Sequence, residues 1–313
     1  MTDANDVEQI SPLTYCEAAY LDANADIADA VRGGGFKSGR MHYMMFGKNE
    51  SHRRQTRSIA ELEKGNRKEK IRNLLGDAPY REDGHIFDFL TDELRSQFNI
   101  IDTKNVSSNG YDGDVLALIE KHRHGLVLDC GAGSRPTIYE NVINFEVAAY
   151  PSTDVRGVGE VLPFKDGSFD AVISSAVLEH VKDPFKCAQE IIRILKPGGD
   201  LMCCVPFLQP MHGYPHHYYN MSEQGIRNLF DPHVSIHRHE VPDSVLPIWS
   251  LSWMLNSWAD GLDGDALFEF RSMTVADLMA APATFLDRKF VRTLSKEKNM
   301  ELASATVIHA TKR

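Results

Sequence analysis

The sequence predicts an α/β protein, a parallel, doubly wound sheet covered by helices on both faces, behind a small helical module. Three observations carry this. From about residue 111, short apolar runs alternate with amphipathic stretches, the rhythm of strands joined by helices. One run, Leu126-Val127-Leu128-Asp129, opens directly into Cys130-Gly131-Ala132-Gly133-Ser134, a strand entering a glycine turn. Residues 1–58 instead place apolar side chains at helical spacing between short breaks.

In the N-terminal module, Pro12–Leu21 has helical spacing and Asn24-Ala25-Asp26 interrupts it. A short helix then reaches Val31 before Gly33-Gly34-Gly35, and Ser38 is placed to cap a helix through Met41, Met44 and Met45 that Gly47 stops. The methionines read as core filler. Residues 59–110 read as a helical linker. The stretch 53–72 that leads into it holds eight Lys/Arg against three Glu, which reads as a solvated helical face, with contact to an anionic partner as the alternative. One further helix is expected around Ile86–Phe98.

The domain expected over 111–313 follows in order. Val115–His122 reads as a helix, and Gly125–Cys130, Val142–Val147, Asp154–Gly157 and Asp170–Ser174 as strands. Pro184–Leu195 is an amphipathic helix ending at Lys196-Pro197-Gly198-Gly199, and Leu201–Val205 is the next strand.

Composition narrows the function. With 42% hydrophobic and 25% charged residues the chain is an ordinary globular one. A net charge of −10 argues against a nucleic-acid binder. Five cysteines, odd in number and without C-x-x-C spacing, argue against a disulfide framework or a zinc cage and fit a reducing cytoplasm. The N-terminus shows neither the basic nor the apolar part of a signal peptide, and no apolar run is long enough to span a membrane.

The glycine turn carries the strongest chemical signal. Its glycines permit tight turning and let backbone N–H groups come close to a ligand. A dinucleotide reader wants a third glycine at 136, where Pro136 stands, so NAD is disfavoured. Asp129, just before the turn, suits a ligand with a positive end. Glu146, seventeen residues later at the end of the second strand, suits ribose hydroxyls.

These residues bring a resemblance into view. Asp129-x-Gly-x-Gly133, Leu162-Pro163-Phe164 with Asp166-Gly167-Ser168-Phe169-Asp170, Leu178-Glu179-His180-Val181 and Leu195-Lys196-Pro197-Gly198-Gly199 closely resemble the class I S-adenosylmethionine-dependent methyltransferases of the type 11 domain group, over Val127 to about Phe230. The resemblance implies a Rossmann-like, mostly parallel sheet of seven strands. Its antiparallel last strand would come from Glu301–Thr311, paired near Val234–Val241.

It also implies S-adenosylmethionine as cofactor. Gly131–Gly133, with Cys130 and Ala132, would lie against its methionine part and Glu146 would hold the ribose. Val158, Gly159 and Glu160 would face the adenine, and Ser174 and Ser175 would line the sulfonium side. Where this sequence has Val158 the family usually has Asp, which leaves main-chain atoms or Glu160 for the adenine amino group. The short interval between Gly133 and Glu146 makes the first helix short or missing.

Methyl transfer to an alcohol asks for alignment and for a base near neutral pKa, hence a histidine. His212, in Pro206-Phe207-Leu208-Gln209-Pro210-Met211-His212-Gly213-Tyr214-Pro215-His216-His217-Tyr218 after the fifth strand, is the first candidate and His180 the second. A structural hydrogen bond is the competing role for each. His212, His216, His217, His233, His237 and His239 lack metal-ligand spacing with a carboxylate partner, so no metal is expected.

Ser244–Ala259 holds all three tryptophans (Trp249, Trp253, Trp258) and no charge. It reads as part of a lid or insertion at about 243–295, or as an oligomer contact, with a peripheral membrane contact as the alternative. The N-terminal Tyr20-Leu21, Asn24-Ala25-Asp26-Ile27, Ser38-Gly39, His42-Tyr43 and Phe46-Gly47 resemble a short module of bacterial surface-polysaccharide assembly proteins. That resemblance points to O-methylation of a sugar or polysaccharide precursor. A small apolar acceptor, or a scaffold of weak activity in polysaccharide assembly, are the other readings.

Overall fold

The computed structural model describes residues 6–103, 106–213 and 216–312. They form two compact units, residues 1–205 and 206–313.

The first unit begins with β1 (Val7–Glu8), α1 (Glu17–Ala23), α2 (Ala25–Arg32) and α3 (Gly39–Met45), then β2 (Gln55–Thr56), which pairs antiparallel with β1. The Ser38 hydroxyl caps α3 by accepting from Met41 N at 3.1 Å. The module's core is aromatic, built from Tyr15, Tyr20, Ile27 and Tyr43. Of the three methionines only Met44 packs on it. Met41 and Met45 are exposed, so the core-filler reading is corrected for those two. Gly39 and Gly47 are dictated by closeness: a Cβ would stand 2.8 Å from Leu21 and 2.6 Å from the Tyr20 hydroxyl, respectively.

From Arg57 onward the basic stretch is one helix, α4 (Arg57–Leu74), and it is docked. Arg67 donates to both oxygens of the buried Asp154 (3.2 and 2.6 Å) and to the carbonyls of Tyr139, Glu140 and Val142. Lys68 and Arg72 pair with Glu82, and Arg57 with Glu8. These cations are answered within the chain, which favours the helical-face reading over an anionic partner. The tip of α4 also joins the fold through Ile71 and Leu75, both buried.

Next come β3 (Arg81–Asp83), β4 (Ile86–Asp88), α5 (Asp92–Phe98) and α6 (Gly113–Lys121). The sheet is completed by β5 (Val127–Cys130), β6 (Val142–Glu146), β7 (Val155–Arg156), β8 (Phe169–Ser175), α7 (Pro184–Ile194) and β9 (Leu195–Cys204). Seven strands lie in the order β3-β4-β7-β6-β5-β8-β9, parallel throughout except for β3 against β4. This is the expected Rossmann-like α/β fold, flanked by helices. Val115 and Ile119 of α6 pack on Val127, Val142, Ala171 and Ile173 to form a core. No helix separates β5 from β6, as their short interval implied.

Two expectations are corrected. The antiparallel strand comes from the N-terminal side: β3 and β4 form a hairpin across Gly84-His85, with Gly84 at φ 59°. Residues Lys296–Leu302 are helical, and neither 303–312 nor 234–241 forms a strand. The helix expected over Ile86–Phe98 is instead a strand, a break and a helix, because the Thr91 hydroxyl caps α5 by accepting from Leu94 N.

The second unit is helical: α8 (Glu223–Phe230), α9 (Pro247–Asp260), α10 (Gly264–Ser272), α11 (Val275–Leu278), α12 (Lys289–Arg292) and α13 (Lys296–Leu302). Its core joins Leu262, Ala266, Phe270, Phe290 and Leu294, with Trp258 packed against them. Trp249 and Trp253, one helical turn apart on α9, are exposed.

Arg67→Met removes a largely buried guanidinium and leaves Asp154 without its countercharge. The first unit should lose about 2–4 kcal/mol of stability, read from urea unfolding.

Candidate functional site

A ligand crevice in an open parallel sheet lies at the carboxyl ends of the strands, where the strand order reverses. Here the chain runs β5, β6, β7 in one direction and then β8, β9 in the other. The reversal therefore falls between β5 and β8, at Cys130-Gly131 and Ser174-Ser175.

The glycine turn is fixed from within. Gly131 N and Ala132 N both donate to Phe145 O at 2.9 and 3.0 Å, and Gly133 N donates to Glu146 Oε2 at 2.7 Å. Ser134 N reaches Ser107 O at 2.8 Å and Arg135 N reaches the Ser152 hydroxyl at 2.9 Å. All five N–H groups have acceptors in the chain. The glycines answer to left-handed backbone and close approach. Gly131 (φ 83°) would put a Cβ 2.4 Å from Val177, and Gly133 (φ 65°) one 2.7 Å from Ser107 O.

Glu146, at the end of β6, is partly exposed. Its Oε1 accepts from Val147 N and Ala148 N while Oε2 takes Gly133 N. Burial pushes its pKa up, and those three N–H bonds work the other way. The carboxylate is thus oriented by the backbone and keeps acceptor capacity for hydroxyl donors.

Asp129 differs from expectation. It is fully buried, and its positive partner is the chain's own Arg135, whose Nε donates to Oδ2 at 2.8 Å. Tyr111 donates its hydroxyl to the same oxygen at 2.6 Å, and its ring lies 4.3 Å from the Arg135 guanidinium carbon. Oδ1 is buried without a hydrogen-bond partner. Burial opposes the guanidinium charge, and the Asp129 carboxylate more than offsets that, so the Arg135 pKa is raised.

Glu160 is buried, with Oε1 accepting from Lys182 N and Asp183 N at the start of α7. Its carboxylate serves the helix, and burial raises its pKa. Val158 lies in an apolar cluster with Leu90 and Phe98, flanked by Leu94, Ile100 and Val147. An Asp there would be buried among hydrocarbon, which accounts for the valine. Gly159 remains partly exposed, so main-chain atoms are what this edge offers.

Ser174 and Ser175 stand beside Cys203 and Cys204 at the ends of β8 and β9. Ser174 is buried and Ser175 exposed, so only Ser175 faces outward. Cys130 and Ala132 are buried below the turn. His180 donates its N–H to Val177 O, and its Nε2 lies 3.8 Å from Glu179 Oε1.

His212 belongs to the second unit. Its Nδ1 is 2.9 Å from Pro210 O, a group that only accepts, so Nδ1 carries the proton and Nε2 the lone pair. Its ring rests 4.5 Å from His217 and 4.9 Å from Trp253. Burial lowers its pKa, which favours the neutral ring. Tyr214 and Pro215 of the same segment lie outside the described residues. Sequence reasoning missed Tyr111, Arg135 and Ser107; Arg135, on the turn itself, was the visible signal.

Burial pushes the Glu179 carboxyl up to about 8. Its folded pKa exceeds the ordinary 4.5, so the folded state holds the proton more tightly. Its burial costs little below the unfolded pKa and destabilises progressively as pH rises towards 8. Glu179→Gln should therefore raise the melting temperature more near pH 8 than near pH 5, read by thermal unfolding at both.

Residues 137–203 match the family model described as a methyltransferase domain. The chain is 51% identical over 45 residues to an uncharacterized methyltransferase of Mycobacterium sp. strain JLS, covering 14% of this chain and 18% of that protein. It is 47% identical over 53 residues to one of Mycobacterium avium strain 104, covering 17% and 21%. The chain thus spans about a fifth of the length of the curated relatives it matches. Among solved structures, the YcgJ protein of Bacillus subtilis is 18% identical, with a TM-score of 0.31 over 50% of this chain and 87% of that one. The family match thus falls on β6–β9 of a central sheet whose strand order is that of a Rossmann-like α/β fold.

Proposed function

We propose that the chain transfers a methyl group from S-adenosylmethionine to an oxygen of a small-molecule acceptor, a sugar hydroxyl of a polysaccharide precursor being the favoured one. The observation that carries the cofactor half is Glu146. A carboxylate at the carboxyl end of β6, oriented through three backbone N–H groups, beside a turn that only glycine can make, matches the paired hydroxyls of a ribose.

The donor set fits the rest of the cofactor in part. Glu146 would take the ribose and Gly131 would lie along the methionine chain. Ser175 would border the reacting end. The adenine amino group would meet main-chain atoms near Gly159, since Glu160 and Val158 are otherwise engaged. When bound, the cofactor supplies an activated sulfonium methyl. The protein's task is then alignment and removal of the acceptor's proton.

For the proton, His212 has the right state. Its Nδ1–H is held by Pro210 O, leaving Nε2 as the basic atom, and burial favours the neutral ring. His180 is the second candidate.

The acceptor reading rests on the N-terminal likeness to polysaccharide-assembly modules. A small apolar acceptor finds support in the exposed Trp249 and Trp253 of α9. Five free thiols support a reducing, cytoplasmic setting. Among the described residues, no helix is long and apolar enough to cross a membrane.

Thermal unfolding with S-adenosylhomocysteine tests the cofactor half. At ~100 times its Kd the ligand should add about 2.7 kcal/mol, with NAD giving no shift. No shift at millimolar ligand would leave the scaffold reading. With an acceptor in hand, His212→Ala should lower kcat about 100- to 10,000-fold. Because burial lowers the ring's pKa, the wild-type pH profile should fall only on the acid side of the ordinary histidine range. Unchanged turnover in the variant would reduce His212 to a structural role.

A further inference from the structure

Strand β5 ends at Cys130 and β6 begins at Val142. Parallel neighbours need a crossover, usually a helix, whose own hydrogen bonds satisfy its backbone. Residues 131–141 form none, and the connection that starts as the glycine turn finds partners in the N-terminal residues instead. Arg67 of α4 donates Nη1 to Tyr139 O and Glu140 O at 3.2 and 3.0 Å, and Nη2 to Val142 O at 2.5 Å. Pro12 O accepts from Ile138 N at 3.4 Å, and Glu140 Oε1 accepts from Glu17 N, in the first turn of α1, at 2.9 Å. The Arg40 guanidinium of α3 lies 4.5 Å from the centre of the Tyr15 ring and 5.0 Å from that of Tyr139. Its Nη1 and Nη2 are buried and have no hydrogen-bond partner, so the two aromatic faces answer its charge. Tyr139 in turn packs on Tyr111 with ring centres 5.7 Å apart, and the Tyr111 hydroxyl meets Asp129 near the end of β5.

We propose that α1, α3 and α4 take the place of the absent β5–β6 helix, and that Arg40 is a positioning residue for the cofactor. Through Tyr139 it holds the connection that carries the glycine turn. This rests on the cofactor reading above. A turn held in its bound shape avoids an ordering cost when the ligand arrives, so the groups that hold it contribute to affinity from a distance. Such coupling is reciprocal: if docking of the N-terminal residues tightens the ligand, the ligand tightens their docking by the same factor. Arg40 is the place to probe it. Arg67 also neutralises the buried Asp154, so its loss disturbs the fold directly. Replacing Arg40 strands no hydrogen-bonded carboxylate, because its Nη nitrogens have none.

The test is titration of S-adenosylhomocysteine into the whole chain, with hydrogen exchange over residues 12–45 followed with and without the ligand. Arg40→Met should weaken binding about tenfold. Arg40→Lys keeps a cation on the rings and should restore affinity to within about threefold of wild type. Tyr139→Leu should match Arg40→Met, and the double variant should lose no more than either alone, since both act through one contact. In the wild type, saturating ligand should slow exchange over 12–45 about three- to tenfold. That slowing should vanish in Arg40→Met, whereas slowing by global stabilisation alone would persist in it. If Arg40→Met does not fold, Tyr139→Leu carries the same comparisons. Unchanged affinity in the variants, additive losses in the double variant, or exchange over 12–45 that ignores the ligand would each overturn the proposal. A wild type that binds no S-adenosylhomocysteine would instead overturn the cofactor reading on which it rests.

Discussion

Five consecutive backbone N–H groups, from Gly131 to Arg135, each need an acceptor, and where they find one determines the rest of the site. Two go to Phe145 O, one to Glu146, one to Ser107 O and one to the Ser152 hydroxyl. Buried backbone donors without partners are costly, so the turn is fastened to β6 and to the segment just before α6. That fastening aims Glu146. It also requires left-handed backbone at positions 131 and 133, where neighbouring atoms leave no room for a Cβ. The turn arrives at a ligand already shaped, which avoids an ordering cost on binding.

The same economy of position links the N-terminal module to the sheet. Arg40 lies 4.5 Å over the Tyr15 ring and 5.0 Å over the Tyr139 ring. Tyr139 touches Tyr111, whose hydroxyl meets Asp129. With Arg67 binding Asp154 and three carbonyls from α4, α1–α4 share one compact unit with β5–β9. Arg40 and Arg67 thus serve as fasteners between the N-terminal residues and the sheet.

Much of this was legible in the sequence because it depends on local pattern. The apolar runs that became β5, β6, β8 and β9, the cap at Ser38, and the glycine turn declare themselves in a few adjacent residues. Contacts made across long stretches of chain were not legible. Asp129 looked like half of a ligand site because its partner Arg135 is recognisable only once the turn has folded back. Glu160 looked available for adenine until the start of α7 came down upon it. The hairpin at Arg81–Asp88 carried its signal in Asp83-Gly84, outweighed by the apolar spacing from Ile86 onward. The last hairpin was expected by likeness to a family. Local preferences decided otherwise: the Ser295 hydroxyl accepts from Lys298 N and starts α13 there.

The central claim is that Glu146 and the glycine turn form the floor of an S-adenosylmethionine site. A crystal structure of the protein with S-adenosylhomocysteine tests it most directly. The account predicts the ribose hydroxyls within hydrogen-bond distance of the Glu146 carboxylate, about 2.6–3.0 Å, and the amino-acid end over Gly131. Ligand bound elsewhere on the chain, with Glu146 touching only its three backbone donors, would contradict it.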